Sequence, residues 1–295
     1  MKSYTGKITW LDITNPTQKD IEHLKSLHGF HPIILDELLE TSARSRVEFY
    51  DDYLYLTYHL PVYEPSLKTS RKSEIDFLIT REMVITVHYE DLEPLEAFEN
   101  LLNSGEDFKE RSLRNTALLT YYLLQSVVSF SLRQLRHIEE NIRSISLDIF
   151  KGREHDLLEK ISYVKRDLLD YHLISRPQHI LLNSLRKVGA DFWGPKTDIY
   201  FDDLNGDYLK VQQHIENYLE VIKSLEETNA QILNAKINRS MQIFTMLAFF
   251  TFPLVLFTSV YAVENRTQGF WIGFAVIAIF TIVLSFILIK RRKFF

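Results

Sequence analysis

The sequence predicts an α+β domain of α/β/α layers and long helices, followed by two carboxy-terminal transmembrane helices. Three observations predict this fold class. Strand-like alternation is confined to residues 1–105, helical periodicity dominates from about Leu113 onward, and two long uncharged apolar runs close the chain. Apolar residues at intervals of three and four indicate helices, whereas alternation of apolar and polar residues indicates strands.

The amino-terminal part of the chain carries the strand signals. Lys7–Ile13 alternates as a short strand, and Val47–Tyr63 is rich in aromatic and β-branched residues. Residues 73–80 (SEIDFLIT) and 83–89 (MVITVHY) are predicted as two more strands, joined by a tight turn at Arg81-Glu82. We therefore expect antiparallel strands with helices before and after them.

Two long helices are predicted to follow. The first starts at about Leu113 and is interrupted by Gly152, and the second runs from about Asp156 to Leu185. Pro177 is expected to kink or stop the second helix, because proline removes a backbone hydrogen bond. Residues 188–207 are rich in turn-forming residues and are predicted to close this helical hairpin.

A third helix is predicted to be longer than any compact monomer needs. No proline or glycine occurs between Asp207 and Pro253, and apolar residues recur there at intervals of three and four. We interpret Tyr208–Val263 as one helix, about 80 Å long at 1.5 Å per residue. Such a helix suits a stalk packed against copies of itself, so residues 106–240 are predicted to form a long-helix bundle and stalk.

The carboxy-terminal runs are long enough to cross a bilayer. Residues 241–263 and 269–289 carry no charge, and each can span roughly 30 Å of hydrocarbon as a helix. Residues 264–268 form the short outer loop, and residues 290–295 form a basic cytosolic tail. By the positive-inside rule both termini lie in the cytoplasm, with residues 1–105 as an α/β cytosolic domain. This pattern predicts a multi-pass protein of the inner (plasma) membrane, with the lipid bilayer as its surroundings.

Composition excludes several classes of function. The chain contains no cysteine, so disulfides and thiolate metal sites are excluded. The net charge is −5, and the four basic residues after Ile289 contribute +4, so the preceding residues carry −9. An acidic body disfavours nucleic acid as a partner and favours cations. No nucleotide-hydrolysis loop or catalytic arrangement stands out, so we expect no enzyme activity.

The first apolar run carries a stripe of small, polar and bulky groups. The stripe consists of Asn238, Met241, Thr245, Ala248, Phe252, Val255 and Ser259. Intervals of three and four place these residues on one helix face. From periodicity alone two interpretations stay open: a face that lines a water path in an oligomer, or ordinary packing between membrane helices.

Several stretches resemble the CorA family of divalent metal-ion transporters, over essentially the whole chain. Residues 27–56 are similar to the family's stretch of His-Pro, an acidic helix, Arg-x-(Lys/Arg)-Val-Glu and an aromatic strand. Residues 238–245 (NRSMQIFT) resemble the family's Asn-x-x-Met-Lys-x-Leu-Thr at the start of the first span. Pro253 and Tyr261 fall at the family's spacing, and the two spans with a basic tail agree.

The resemblance implies a homopentamer with a funnel-shaped cytosolic domain that gates passive or ion-coupled transport of divalent cations. Magnesium would be the first candidate, with zinc or cobalt as others. Carried over residue by residue, the conduit would be lined by Asn238, Met241, Phe244, Phe252, Val255 and Ser259. Asp203 aligns with an acid that binds a regulatory metal between subunits, so Mg²⁺ would be both substrate and regulator. The alternative for Asp203 is a surface or capping carboxylate.

The chain departs from the family at the outer end of the first span. Where the family has Tyr-Gly-Met-Asn, this sequence has Tyr261-Ala262-Val263-Glu264, with Asn265 one place late. A ring of Glu264 side chains would attract cations more strongly than a ring of amides, although charges so close would not all ionise together. This departure keeps an alternative open: a CorA-like membrane receptor or ligand-gated pore with changed selectivity, not a magnesium transporter.

Overall fold

The structure, a computed structural model, describes residues 1–261 and 268–292. The chain divides into two compact units, Met1–Glu227 and Thr228–Phe295. The first unit contains a sheet and most of the helices, and the second contains the apolar carboxy-terminal helices.

The sheet of the first unit has six strands. They are β1 (Lys2–Thr5), β2 (Thr9–Thr14), β3 (Arg46–Phe49), β4 (Leu54–Glu64), β5 (Thr69–Ile79) and β6 (Met83–His88). Their order across the sheet is β1-β2-β6-β5-β4-β3, and each neighbouring pair is antiparallel except β2 with β6, which is parallel. The predicted turn at Arg81-Glu82 is confirmed, but the strand predicted over Val47–Tyr63 is divided between β3 and β4, and β1 was not predicted.

Eight α-helices surround or follow the sheet within the described residues. They are α1 (Gln18–Leu27), α2 (Pro32–Glu37), α3 (Glu93–Ser104), α4 (Glu106–Ser112), α5 (Thr116–Asp148), α6 (Glu154–Trp193), α7 (Asp198–Tyr261) and α8 (Gln268–Arg292). A short 3₁₀ turn, Pro195–Thr197, lies between α6 and α7. Helix α7 is a single helix of 64 residues that begins ten residues before the predicted start at Tyr208.

Alternation along the strands separates two apolar faces of the sheet. On one face Tyr55 pairs with Leu78, Leu78 with Ile85, and Ile85 with Leu11. This row packs with residues of α1 and α2 in one buried cluster. Each fully buried side chain of this size stabilises the fold by about 1.5–3 kcal/mol.

The opposite face carries the long helices. Helices α5 and α6 pack on β4, β5 and β6, and Trp10 of β2 makes an edge-to-face contact with Phe98 of α3 at 5.3 Å. The phenol of Tyr171 donates to the Ser131 carbonyl at 2.7 Å, which joins α6 to α5. The sheet therefore lies between two helical layers, and the predicted α/β/α arrangement is confirmed.

The structure corrects the prediction for residues 177–207. Helix α6 passes through Pro177 without ending. Pro177 and Leu173 are both exposed, so water can hydrate the Leu173 carbonyl that the proline leaves without a partner. The segment predicted as turn-rich is helical apart from four residues, since α6 ends at Trp193 and α7 begins at Asp198.

Gly189 explains part of this error. It lies inside α6, and a Cβ atom there would come within 2.9 Å of the Trp193 ring. The Trp193 ring in turn stacks on Phe201 of α7 at 5.2 Å. This glycine therefore permits close packing rather than a turn, whereas Gly194 has φ = 98° and does end the helix.

The second unit contains the candidate membrane helices. Within the part of the chain that the structure describes, Pro195–Leu256 includes a stretch long and apolar enough to cross a membrane, and none of that stretch is buried. A shorter apolar helical stretch, Trp271–Val283, lies in α8. The first predicted span is helical up to Tyr261, and the second crossing stays a prediction.

Candidate functional site

The side chains predicted to line a conduit lie on one face of α7. They are Asn238, Met241, Phe244, Phe252, Val255 and Ser259, and all six are exposed. Phe244 and Phe252 leave 71% and 69% of their surface uncovered. At 3.6 residues per turn the six positions fall within an arc of about 120°. The structure therefore aligns these residues along the helix, as the spacing predicts, while their role in a conduit stays a prediction.

Two hydroxyl groups on this face donate hydrogen bonds to backbone carbonyls of the same helix. The Ser259 hydroxyl donates to the Val255 carbonyl at 2.8 Å, and the Thr245 hydroxyl donates to the Met241 carbonyl at 2.8 Å. The face consequently presents methyl, thioether and phenyl groups between Met241 and Val255. Apolar side chains of this kind, repeated around a narrow path, can close it by excluding water.

The residues predicted for the outer mouth lie beyond this face. Tyr261 is the last residue of α7. Ala262, Val263, Glu264 and Asn265 lie outside the described residues. Their assignment to the selectivity region stays a prediction.

Asp203 belongs to a group of acids in the first turns of α7. The Arg186 guanidinium pairs with two of them, at 2.7 Å from Asp198 and 2.6 Å from Asp202. Lys210 pairs with Asp207 at 2.7 Å. Asp203 differs from these neighbours, because no basic group among the described residues lies within 4 Å of it and its contact is with a neutral phenol, the Tyr121 hydroxyl at 2.7 Å.

A single chain offers too few ligands for a metal at Asp203. Among the residues that the structure describes, no group of three or more His, Asp and Glu side chains is arranged to hold a metal ion. Asp203 is exposed, and magnesium takes carboxylate and water oxygens as ligands. Asp203 can therefore contribute one or two oxygens, and the remaining ligands would come from water or a second copy.

A buried acidic network in the sheet was missed at the sequence level. Asp76 is fully buried and accepts hydrogen bonds from Tyr55 at 2.9 Å, Thr57 at 2.8 Å and Tyr89 at 3.1 Å. Burial, and then the charge of Glu74, raise the pKa of Asp76 to about 7. A signal for this network was present in residues 73–80 (SEIDFLIT). Glu74 and Asp76 are two positions apart and therefore lie on the same face of a strand whose other residues are mostly apolar.

Glu74 extends this network to the chain that connects α2 to β3. The Ser42 backbone amide donates to both Glu74 carboxylate oxygens at 2.8 Å. His59 Nε2 lies 2.9 Å from Glu74 Oε2, and His59 Nδ1 lies 3.0 Å from the Ser45 hydroxyl. These contacts hold residues 42–45 against the sheet, and none of them touches the apolar face of α7.

The chain is similar to known proteins over nearly its whole length. The family described as CorA-like Mg²⁺ transporter protein matches residues 5–291. The chain is 23% identical over 297 residues to the cobalt/magnesium transport protein CorA of Methanocaldococcus jannaschii, covering 97% of this chain and 91% of that protein. It is 20% identical over 301 residues to the protein of the same name from Thermotoga maritima, covering 97% and 83%.

A solved structure resembles the whole chain. The complete structure of the CorA magnesium transporter from Methanocaldococcus jannaschii aligns with a TM-score of 0.81 at 20% identity, covering 97% of this chain and 90% of that one. The α+β fold class with long carboxy-terminal helices is thereby confirmed.

Proposed function

The chain belongs to the CorA-like family of metal-ion transporters, and from this premise we propose that it carries divalent cations across a membrane. As a member of a transporter family the chain is not an enzyme. The observation that supports the proposal most directly is the exposed face of α7 with Met241, Phe244, Phe252 and Val255. Copies of the same helix around an axis would bring these aligned faces together around one path, where apolar side chains can exclude water.

Magnesium is the proposed main substrate, with cobalt and zinc as further candidates. Zinc sites in proteins use mainly His and Cys. The proposed lining has neither residue type, and hydrated magnesium requires only polar oxygens and space. We propose passive or ion-coupled transport, because the sequence has no nucleotide-hydrolysis loop. The membrane potential would drive uptake, since it contributes roughly 2.3 kcal/mol per charge per 100 mV, and twice this for a divalent ion.

The proposed assembly is a homopentamer in the inner (plasma) membrane with both termini in the cytoplasm. In this proposal residues 1–105 and 106–240 form the cytosolic part. Residues 241–263 cross the membrane and line the conduit, and residues 269–289 cross the membrane in a ring around the conduit-lining helices. Residues 264–268 are the outer loop, and residues 290–295 are the basic tail. The sequence supports this orientation through the basic residues that flank both spans.

Two sites complete the proposal. At the outer mouth, Tyr261 to Asn265 set selectivity, with Glu264 facing the cation. At the cytosolic end, Asp203 binds a regulatory Mg²⁺ shared with a neighbouring copy, which supports gating by the cytosolic domain. The absence of a basic partner for Asp203 among the described residues favours a cation there over an internal ion pair.

A second candidate function is a CorA-like receptor or ligand-gated pore with changed selectivity. The observation that favours it is the replacement of the family's Gly-Met-Asn by Ala262-Val263-Glu264. In this case the protein keeps the fold and the assembly but is not a magnesium transporter.

Ion flux into liposomes tests the proposal. The purified full-length chain is reconstituted, and uptake of Mg²⁺, Co²⁺ and Zn²⁺ is followed with an indicator trapped inside. Saturable uptake of Mg²⁺, blocked when the other divalent ions compete, is the expected result. Native mass spectrometry confirms that the reconstituted protein is pentameric. If pentamers take up none of the three ions, the proposal is contradicted and the second candidate is favoured.

A further inference from the structure

A cleft of about 230 Å³ lies in the first unit, and none of its lining residues belongs to the sites described above. It is formed by the turn between β4 and β5, by α5 and by the first turns of α6. Its lining residues are Tyr63, Lys68, Asn141, Ser144, Ile145, Lys160, Tyr163, Val164 and Asp167. The volume is below the roughly 300–1,000 Å³ of pockets for drug-sized molecules, so any ligand of this cleft is small.

Hydrogen-bond donors without internal partners line this cleft. The side chains of Tyr63, Asn141, Ser144 and Tyr163 make no hydrogen bond to another residue that the structure describes. Lys160 is 3.9 Å from Asp148, whose carboxylate already accepts from Lys151 at 2.8 Å. The wall therefore presents N–H and O–H groups that can donate to a ligand.

The one acidic residue in the lining, Asp167, already has hydrogen-bond partners within the protein. Asp167 is buried, and its Oδ1 accepts from the Ser70 hydroxyl at 2.7 Å. Its Oδ2 lies 2.8 Å from His137 Nε2. The lining therefore carries two ammonium groups, of Lys68 and Lys160, against this one carboxylate.

The turn that carries Lys68 is joined to α6 by two hydrogen bonds. Arg166 donates to the Leu67 carbonyl at 2.7 Å, and the Thr69 hydroxyl donates to Asp170 at 2.5 Å. Lys68 itself has φ = 51°, a left-handed conformation that is uncommon for a residue other than glycine, asparagine or aspartate. Its ammonium group lies 4.6 Å from the centre of the Tyr163 ring. The turn therefore places the Lys68 ammonium group beside the Tyr163 ring, and no acidic group among the described residues lies within 4 Å of it.

We propose that this cleft binds a small oxyanion, namely phosphate or the phosphate group of a small metabolite. Two ammonium groups supply the charge-assisted hydrogen bonds that a doubly charged oxyanion prefers. The amide of Asn141 and the hydroxyl of Ser144 supply further donors. Ile145 and Val164 provide an apolar floor that can accommodate the carbon chain of a phosphate ester. This inference does not depend on the proposed transport.

Calorimetric titration of the full-length protein in detergent tests the inference. Inorganic phosphate and glycerol 3-phosphate are the two probes, with divalent cations removed because they bind phosphate in solution. Sodium chloride at matched ionic strength corrects for unspecific charge screening. Saturable binding of inorganic phosphate identifies the free ion as the ligand, and binding of the ester alone identifies a phosphorylated metabolite. Binding of neither probe overturns the proposal.

Charge-removing variants locate the site. Lys68→Met and Lys160→Met should each weaken binding about tenfold or more, since each removes a charge-assisted hydrogen bond. Lys187→Met is the matched control, because Lys187 is exposed on the same helix α6 but does not line the cleft. Melting curves without phosphate confirm that the variants are folded. Affinity in both cleft variants equal to that of the unmodified protein also overturns the proposal.

Discussion

The Tyr121 hydroxyl donates a 2.7 Å hydrogen bond to Oδ2 of Asp203 and thereby joins α5 to the first turns of α7. Burial, and then the bond to this carboxylate, raise the pKa of Tyr121, so the phenol stays protonated and keeps donating. The Gln125 amide donates to the same phenol oxygen at 3.0 Å and fixes its position. The carboxylate of Asp203 is thus oriented by a neutral partner that leaves its charge uncompensated.

Asp203→Ala should abolish protection of the cytosolic part by Mg²⁺. In the proposed function Mg²⁺ binds this carboxylate and a neighbouring copy, so it should slow proteolysis of the unmodified protein but not of the variant. Limited proteolysis with and without Mg²⁺ measures this. Asp202→Ala is the matched control, because Asp202 is paired with Arg186 and should keep the protection. Equal protection of Asp203→Ala and the unmodified protein would remove Asp203 from regulation.

Phe252→Ala should raise the leak of ions through the closed protein by roughly tenfold or more. The phenyl group is the proposed apolar constriction, and a smaller side chain lets water enter the closed path. Phe250→Ala is the control, because the two positions are about 200° apart on the helix and Phe250 therefore faces away from the conduit. Liposome flux in the absence of an activating stimulus measures the leak. A leak as large in Phe250→Ala would indicate general damage to the helix.

Glu264→Gln should lower divalent permeation or weaken selectivity for divalent over monovalent cations. The proposed ring of carboxylates concentrates divalent cations at the outer mouth, whereas amides carry no charge. The effect should be larger at low ionic strength, because salt screens exposed charges. Flux ratios for Mg²⁺ and Na⁺ in liposomes measure both changes. If flux and selectivity are unchanged at every ionic strength, Glu264 has no part in permeation.

Asp76→Asn should remove part of the pH dependence of stability. The folded-state pKa of about 7 exceeds the ordinary value near 4, so the folded protein keeps a proton that the unfolded chain releases. The free energy of unfolding therefore falls as pH rises from about 4 to 7, and the loss is complete above that range. The melting temperature of the variant should fall less between about pH 5 and pH 8.

A second substitution controls for unspecific effects of charge in this experiment. Asp36 is exposed on α2, so Asp36→Asn should keep the pH dependence of the unmodified protein. The same pH dependence in Asp76→Asn would mean that Asp76 is ionised in the folded state throughout this range.

The features that could be predicted are those encoded along one helix or one strand. The face of α7 follows from intervals of three and four, and the turn between β5 and β6 follows from Arg81-Glu82 between two strand-like stretches. Gly189 and Pro177 were misread because their local preferences were overridden by packing and by solvent exposure. The packing of Gly189 against Trp193 and Phe201, and the exposure of Pro177 to water, both depend on the folded structure.

The same limit applies to the candidate sites. The sequence shows an acidic stretch at residues 198–207, but it does not show that Arg186 pairs with two of these acids and leaves Asp203 apart. The pairing of Glu74 with His59 depends on the register of β4 against β5, which no single segment specifies. Tertiary contacts therefore give different surroundings to acidic residues that the sequence alone does not distinguish.

The parallel pairing of β2 with β6 has a consequence for synthesis. Thr9–Thr14 leave the ribosome long before Met83–His88, by roughly 4 to 15 seconds at 5–20 residues per second. Throughout that interval β2 can pair with β1 but not with β6, so one edge of β2 stays open to other nascent chains. Open strand edges of this kind promote aggregation. Deleting the first fourteen residues would transfer this hazard to β6 permanently, so affinity tags belong ahead of Met1 and should not replace the residues that follow it.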